Sequence, residues 1–141
     1  MKKNYLDTCI WLNLFKKETS TRGVPFWKLA KDFIEDVEDK GGNILVSTIV
    51  LKELYYKVGD RFNEIKEEFQ ATETITIVKT SSIDYELARK FEQAHGLLSF
   101  YDYLHVALAK RFNAILITRD RDLIVFARKH VEVYRPEELL R

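Results

Sequence analysis

The sequence predicts an α/β domain built on a parallel sheet, and three observations carry that prediction. Five strand-like runs alternate with helical patterns along all 141 residues, and a crossover between parallel strands lays its helix on one face of the sheet. Only five Gly and two Pro punctuate the chain, with no repeat, low-complexity tract or linker, so the elements are tightly connected within one domain over 1–141. The composition is 46% hydrophobic and 32% charged, ordinary globular usage that excludes a disordered or fibrous chain.

The elements follow in order. A strand over 3–6 leads into a helix over about 8–17, and Glu18 to Pro25 is the clearest loop. Pro25 suits the first turn of the next helix. There Phe26, Leu29, Ala30, Phe33, Ile34 and Val37 keep the 3, 4 spacing of one buried face, and Gly41-Gly42-Asn43 ends it. A strand at 44–47 precedes a helix over 48–58, whose Val50, Leu51, Leu54 and Val58 turn inward before Gly59 stops it. Asp60 is expected to cap a further helix carrying Phe62, Ile65 and Phe69. The β-branched run Thr74-Ile75-Thr76-Ile77-Val78 reads as a strand. Ser81 with Asp84 forms a capping box for a helix to about His95, closed by Gly96. Ser99 opens another helix, with Tyr101, Leu104, Ala107 and Leu108 on one face, which feeds a strand at 114–117. A short helix after Asp120 and a strand at 131–134 complete the alternation.

There is no long apolar run, and Met1-Lys2-Lys3 passes directly into a strand without the apolar stretch of a secretion signal, so a cytoplasmic protein with no membrane segment is expected. The single Cys9 excludes an intrachain disulfide and a Cys-rich zinc site, and reads as a small core residue. Net charge is only +1, but its distribution is uneven. Residues 1–30 carry six Lys/Arg against two Asp/Glu, residues 110–130 again six against two, and residues 31–75 six against eleven. Lys16, Lys17, Arg119 and Arg121 are thereby placed to hold a phosphate backbone.

Asp7, Glu53, Asp102 and Asp120 each sit where a strand or helix begins or ends. On a parallel sheet the carboxyl ends of the strands share one edge, where open α/β folds place their ligands. Taken singly, each of the four has a plain structural use. Asp7 and Asp120 suit N-caps, Asp102 completes a capping box with Ser99, and Glu53 can pair with Lys57 one turn on. Glu53 is the acid that capping does not explain, because it lies in the second turn of its helix. Four neighbouring carboxylates repel, so without a cation one or more takes up a proton. Oxygen-only ligands favour Mg²⁺ or Mn²⁺ over zinc, and such ions can activate water against a phosphodiester without a His or Ser nucleophile.

Four blocks surround these acids: Tyr5-Leu6-Asp7-Thr8-Cys9-Ile10, Ser47 to Leu54, Tyr101 to Ala109, and Leu116 to Leu123. In this order they resemble the PIN domain, and among PIN domains the single-domain VapC-type toxins. The resemblance covers essentially the whole chain. It implies a three-layer α/β/α fold with a parallel five-stranded sheet of order 3-2-1-4-5, and Mg²⁺- or Mn²⁺-dependent endoribonuclease activity. By that match Asp7, Glu53, Asp102 and Asp120 are the metal-site acids, Thr118 steadies the site, Asp122 assists or substitutes as a ligand, and Thr8 is a weaker candidate. The resemblance also implies a small antitoxin partner and a homodimer. The chain departs from the pattern in Cys9, where Ser or Asn is common, and in a somewhat long 18–25 loop and following helix.

Other residues carry weaker signals. Trp11, one turn after Asp7, is a candidate for stacking a base, with core packing as the alternative. Arg119 and Arg121 are candidates for phosphate contact, with a solvated helix start as theirs. His105 is three residues beyond Asp102 but has no spaced second His, so it reads as a surface or packing residue. His95 and His130 carry no signal, and Tyr55-Tyr56 and Phe100-Tyr101 read mainly as core. The rival functions are a non-catalytic RNA- or protein-binding module and a structure-specific DNA nuclease. A receiver domain does not fit, since Arg135-Pro136 rather than Lys follows the last strand, and no GxxxxGK[ST] loop is present.

Overall fold

Strand β1 (Lys3–Leu6) runs through the centre of a five-stranded parallel sheet in a computed structural model that describes residues 2–140. On one side lie β2 (Asn43–Ser47) and then β3 (Ile75–Val78), and on the other β4 (Ile115–Ile117) and then β5 (Val133–Tyr134). The order is β3-β2-β1-β4-β5, as expected, with helices on both sides. Tyr5 is in register with Leu45 on one neighbour and Leu116 on the other. The residues that follow these strands therefore leave from one edge: Asp7 after β1, the helix carrying Glu53 after β2, and Thr118 after β4. The Asp7 N–H donates to the Ile117 carbonyl at 2.9 Å, which carries the pairing one residue past the strand end.

Among the described residues seven α-helices connect the strands: α1 (Thr8–Phe15), α2 (Phe26–Asp39), α3 (Thr48–Val58), α4 (Phe62–Ala71), α5 (Ser82–Ala94), α6 (Phe100–Arg111) and α7 (Arg121–Ala127). Burial follows the apolar spacing in α2, where Ala30, Phe33 and Val37 are inward while Lys28–Asp32 and Lys40–Asp36 pair on the outside. Helix α6 is the most enclosed, with every residue from Tyr103 to Ala109 buried. Among the described residues no helix is long and apolar enough to cross a membrane.

The departures from expectation lie at element ends and on one helix face. Helix α1 stops at Phe15, and Lys17 adopts a left-handed φ of 49° that cannot continue it. Asp60 caps nothing, because Gly59–Arg61 form a 3-10 turn that runs directly into α4. Strand β5 is only Val133–Tyr134, followed by a 3-10 turn at Pro136–Leu139. Tyr55 and Tyr56 are not core residues, being 57% and 72% exposed on α3.

Candidate active site

Asp7 is buried at the carboxyl end of β1 and begins α1 without capping it through its side chain. Capping therefore does not account for this acid. Its Oδ2 instead accepts hydrogen bonds from the Thr118 hydroxyl at 2.8 Å and the Cys9 thiol at 3.2 Å. The Thr118 oxygen also accepts the Asp120 N–H at 3.2 Å, so one hydroxyl links the acid after β1 to the backbone of the acid after β4. Burial, reinforced by the charge of Asp7, pushes the Cys9 thiol well above its ordinary pKa and keeps it protonated.

Glu53 reaches the same edge from α3. Its Oε1 accepts from the Thr8 hydroxyl at 2.7 Å and is 2.8 Å from His105 Nε2, so its partners are these two rather than Lys57. His105 is the residue whose role sequence reasoning missed. It is 1% exposed, and its Nε2 also lies 3.5 Å from Asp7 Oδ1. Its Nδ1 is 2.7 Å from the Tyr5 hydroxyl, which is in turn 2.7 Å from Ser47 Oγ. Burial by itself lowers the pKa of an imidazole, but the bond to Glu53 and the charges of Asp7, Glu53 and Asp102 outweigh it and leave His105 raised. Glu53 moves the opposite way. Burial raises it, yet the bond and charge of His105, then Thr8 and Lys57, bring it below the ordinary carboxylate value. A sequence signal for His105 existed in the apolar run on both sides of it, since a buried imidazole must find polar partners.

Asp102 and Asp120 do cap their helices. Asp102 accepts the Ser99 N–H at 3.3 Å, and its own N–H donates to Ser99 Oγ at 3.2 Å. Asp120 Oδ1 accepts the N–H groups of Asp122 and Leu123 at 3.0 and 3.2 Å. Burial, then the charges of Asp7 and Asp120, raise the Asp102 carboxyl above its ordinary value, against the lowering effect of Ser99 and His105. Asp122 is exposed in the first turn of α7.

The other candidates divide. Trp11 is buried, stacked on Phe15 at 5.9 Å and tilted against Phe69 at 4.7 Å, so it is a core residue with no face open to a base. Arg119 is committed elsewhere. It gives Glu137 two hydrogen bonds at 2.9 and 2.8 Å and lies 4.1 Å over the Phe26 ring, which ties the C-terminal turn to α2 and leaves little of it for phosphate. Arg121, Lys16 and Lys17 are exposed. His95 bonds the Tyr103 hydroxyl at 2.8 Å, and His130 packs on Phe91 and Phe126.

Among the described residues, no three His, Cys, Asp or Glu side chains converge closely enough to hold an ion as they stand. The local reason is visible. Asp102 and Asp120 turn to backbone N–H groups, while Glu53 stays beside Asp7 through His105, whose Nε2 lies 2.8 Å from Glu53 Oε1 and 3.5 Å from Asp7 Oδ1. The donor set nevertheless suits a hard cation, because it is all carboxylate oxygen.

Fold and site together define a class, the three-layer α/β domains that gather acids at the carboxyl edge of a 3-2-1-4-5 sheet. The PIN domain family matches residues 5–129, and the chain belongs to that family. PIN domains are generally nucleases. No curated protein matches the chain by sequence. Among solved structures it is similar to a toxin-antitoxin complex from Klebsiella pneumoniae, with 20% identity and a TM-score of 0.67 over 94% of this chain and 97% of that one. It is also similar to VapBC2 from Rickettsia felis bound to a DNA fragment from their promoter, with 22% identity and a TM-score of 0.66 over 94% and 98%. FitAcB from Neisseria gonorrhoeae gives 19% identity and a TM-score of 0.66 over 96% and 99%. At these identities the likeness is one of fold.

Proposed function

We propose that the chain is a Mg²⁺- or Mn²⁺-dependent endoribonuclease and the toxin of a toxin-antitoxin pair. The observation that carries this reading is geometric: Asp7 is tied through Thr118 to the backbone of Asp120 and through His105 to Glu53 at one sheet edge, and no Lys or Arg among the described residues pairs with any of the four acids. Asp7, Glu53, Asp102 and Asp120 would hold the cation, with Asp122 exposed nearby as a further oxygen donor. A bound divalent ion supplies an activated water and stabilises charge on the phosphate. Thr118 fixes the Asp7 carboxylate through its Oδ2, and Thr8 fixes Glu53. Arg121, Lys16 and Lys17 are free to neutralise RNA phosphates.

A toxin role is supported by the toxin-antitoxin assemblies among the structural neighbours. A homodimer is supported by the exposed Tyr55 and Tyr56, whose rings adjoin on α3 and offer aromatic surface to a second copy. Tyr56→Glu is expected to convert the dimer to a monomer in light-scattering measurements. The decisive experiment is cleavage of a labelled single-stranded RNA with Mn²⁺, beside the same sequence as DNA. Cleavage of RNA that EDTA and Asp102→Asn both abolish is expected. Equal cleavage by Asp102→Asn overturns the site, and preference for DNA overturns the substrate.

A further inference from the structure

Three of the acid-bearing elements contribute one link each to a buried chain of hydrogen bonds beneath the site. Tyr5 stands two residues before Asp7 on β1. Ser47 ends β2, and its Oγ accepts the Val50 N–H at 3.1 Å, capping the helix that carries Glu53. His105 stands one turn beyond Asp102 on α6. The links run from Ser47 Oγ to the Tyr5 hydroxyl at 2.7 Å, from that hydroxyl to His105 Nδ1 at 2.7 Å, and from His105 Nε2 to Glu53 Oε1 at 2.8 Å. Every member but Glu53 is fully enclosed.

We infer that His105 is a positioning residue, held by Tyr5 so that its Nε2–H fixes the Glu53 carboxylate beside Asp7 for cation binding. Glu53 is an acceptor, so Nε2 carries the proton and donates to it, while Nδ1 is engaged by the Tyr5 hydroxyl on the other side of the ring. With a proton on Nε2 the imidazole cannot itself be a ligand through that nitrogen. Its part is to orient a carboxylate that is one, and loss of such an outer partner typically costs roughly 10–100-fold in metal affinity. This inference rests on the metal-dependent reading of the site.

The test is a calorimetric Mn²⁺ titration of RNA-free protein together with hydrogen-exchange NMR of the imidazole protons in metal-free protein. His105→Leu is expected to weaken Mn²⁺ binding by roughly 10–100-fold. His105→Gln, whose amide can donate at the Nε2 position, restores most of the affinity, and Tyr5→Phe weakens binding in the same direction. In wild type the Nε2–H exchanges slowly, and Tyr5→Phe speeds that exchange. Folded His105→Leu protein that binds Mn²⁺ as tightly as wild type overturns the inference. If His105→Leu does not fold, Tyr5→Phe decides, and unchanged affinity with unchanged exchange overturns it. Wild-type protein that binds no Mn²⁺ overturns the metal-dependent reading instead; the imidazole exchange alone then decides whether Tyr5 holds His105.

Discussion

Asp84 and Asp7 are both buried carboxylates, and the molecule treats them in opposite ways. Asp84, on α5, is 1% exposed and receives two hydrogen bonds from Arg111 at 2.8 and 2.9 Å, with the Ser81 N–H and hydroxyl adding more. Its negative charge is answered inside the protein. Asp7 has only a hydroxyl, a thiol and a shared imidazole, and neither Lys nor Arg pairs with it or with the other three acids among the described residues. The contrast separates a carboxylate that joins α5 to α6 from carboxylates whose charge the fold leaves largely uncancelled. Burying acids without fixed cations costs stability, which is physically sensible if a mobile cation completes the site.

That contrast can be broken by exchanging what each acid lacks or has. The largest effect is expected on turnover: Asp7→Asn should lower RNA cleavage by more than the roughly 10–100-fold typical of losing an outer-shell partner, measured as initial rates at saturating Mn²⁺. Arg111→Met should leave Asp84 buried and unpaired and cost about 3 kcal/mol in urea unfolding. Activity per folded molecule should be unchanged. Mn²⁺ at 100 times its Kd should stabilise the wild type by about 2.7 kcal/mol, seen as a rise in Tm, while Asp7→Asn should lose most of that rise. A metal-free comparison sharpens the sign. Asp102 is raised, so the folded chain holds its proton to higher pH than the unfolded chain does, and stability falls as pH rises from about the ordinary value of 3.8 through the folded value. Asp102→Asn, which can still cap α6, should therefore stabilise the metal-free protein at neutral pH by less than the metal does.

The smallest expected effect is at the C-terminal turn. Burial raises Glu137, but the hydrogen bonds and charge of Arg119 bring it below its ordinary value, so its contribution is present above pH 4.5 and is lost as pH falls through the folded value. Glu137→Gln should flatten that part of the acid limb in a pH series of melting curves. An unchanged limb would show that the clasp adds nothing measurable, as holds for many partly exposed pairs.

The strands, the sheet order and the two capping boxes were legible because they depend on local patterns or on blocks that stay contiguous in sequence. Ser81 with Asp84 and Ser99 with Asp102 lie within one helical turn, and both boxes form as expected. The Tyr5–His105 bond joins residues 100 positions apart, and nothing local to either marks the other. The partners of Arg119 were hidden for the same reason, since Glu137 and Phe26 meet it only once β5 and the last turn are folded. Tyr55 and Tyr56 show a different limit. A pair of aromatics on a helix looks the same in sequence whether it faces the core or the outside. Asp7 was open to a capping explanation until its side chain was seen to accept no backbone N–H of its own helix.

Trp11 stands one turn after Asp7 with its indole N–H buried and without a hydrogen-bond partner among the described residues. Its ring lies against Phe15 and Phe69, an apolar setting. The chain holds only one other tryptophan, the half-buried Trp27. Replacing Trp27 by Phe would leave a single fluorophore whose blue-shifted emission follows how α1 seats against Phe69, giving a label-free optical signal for events at the first acid.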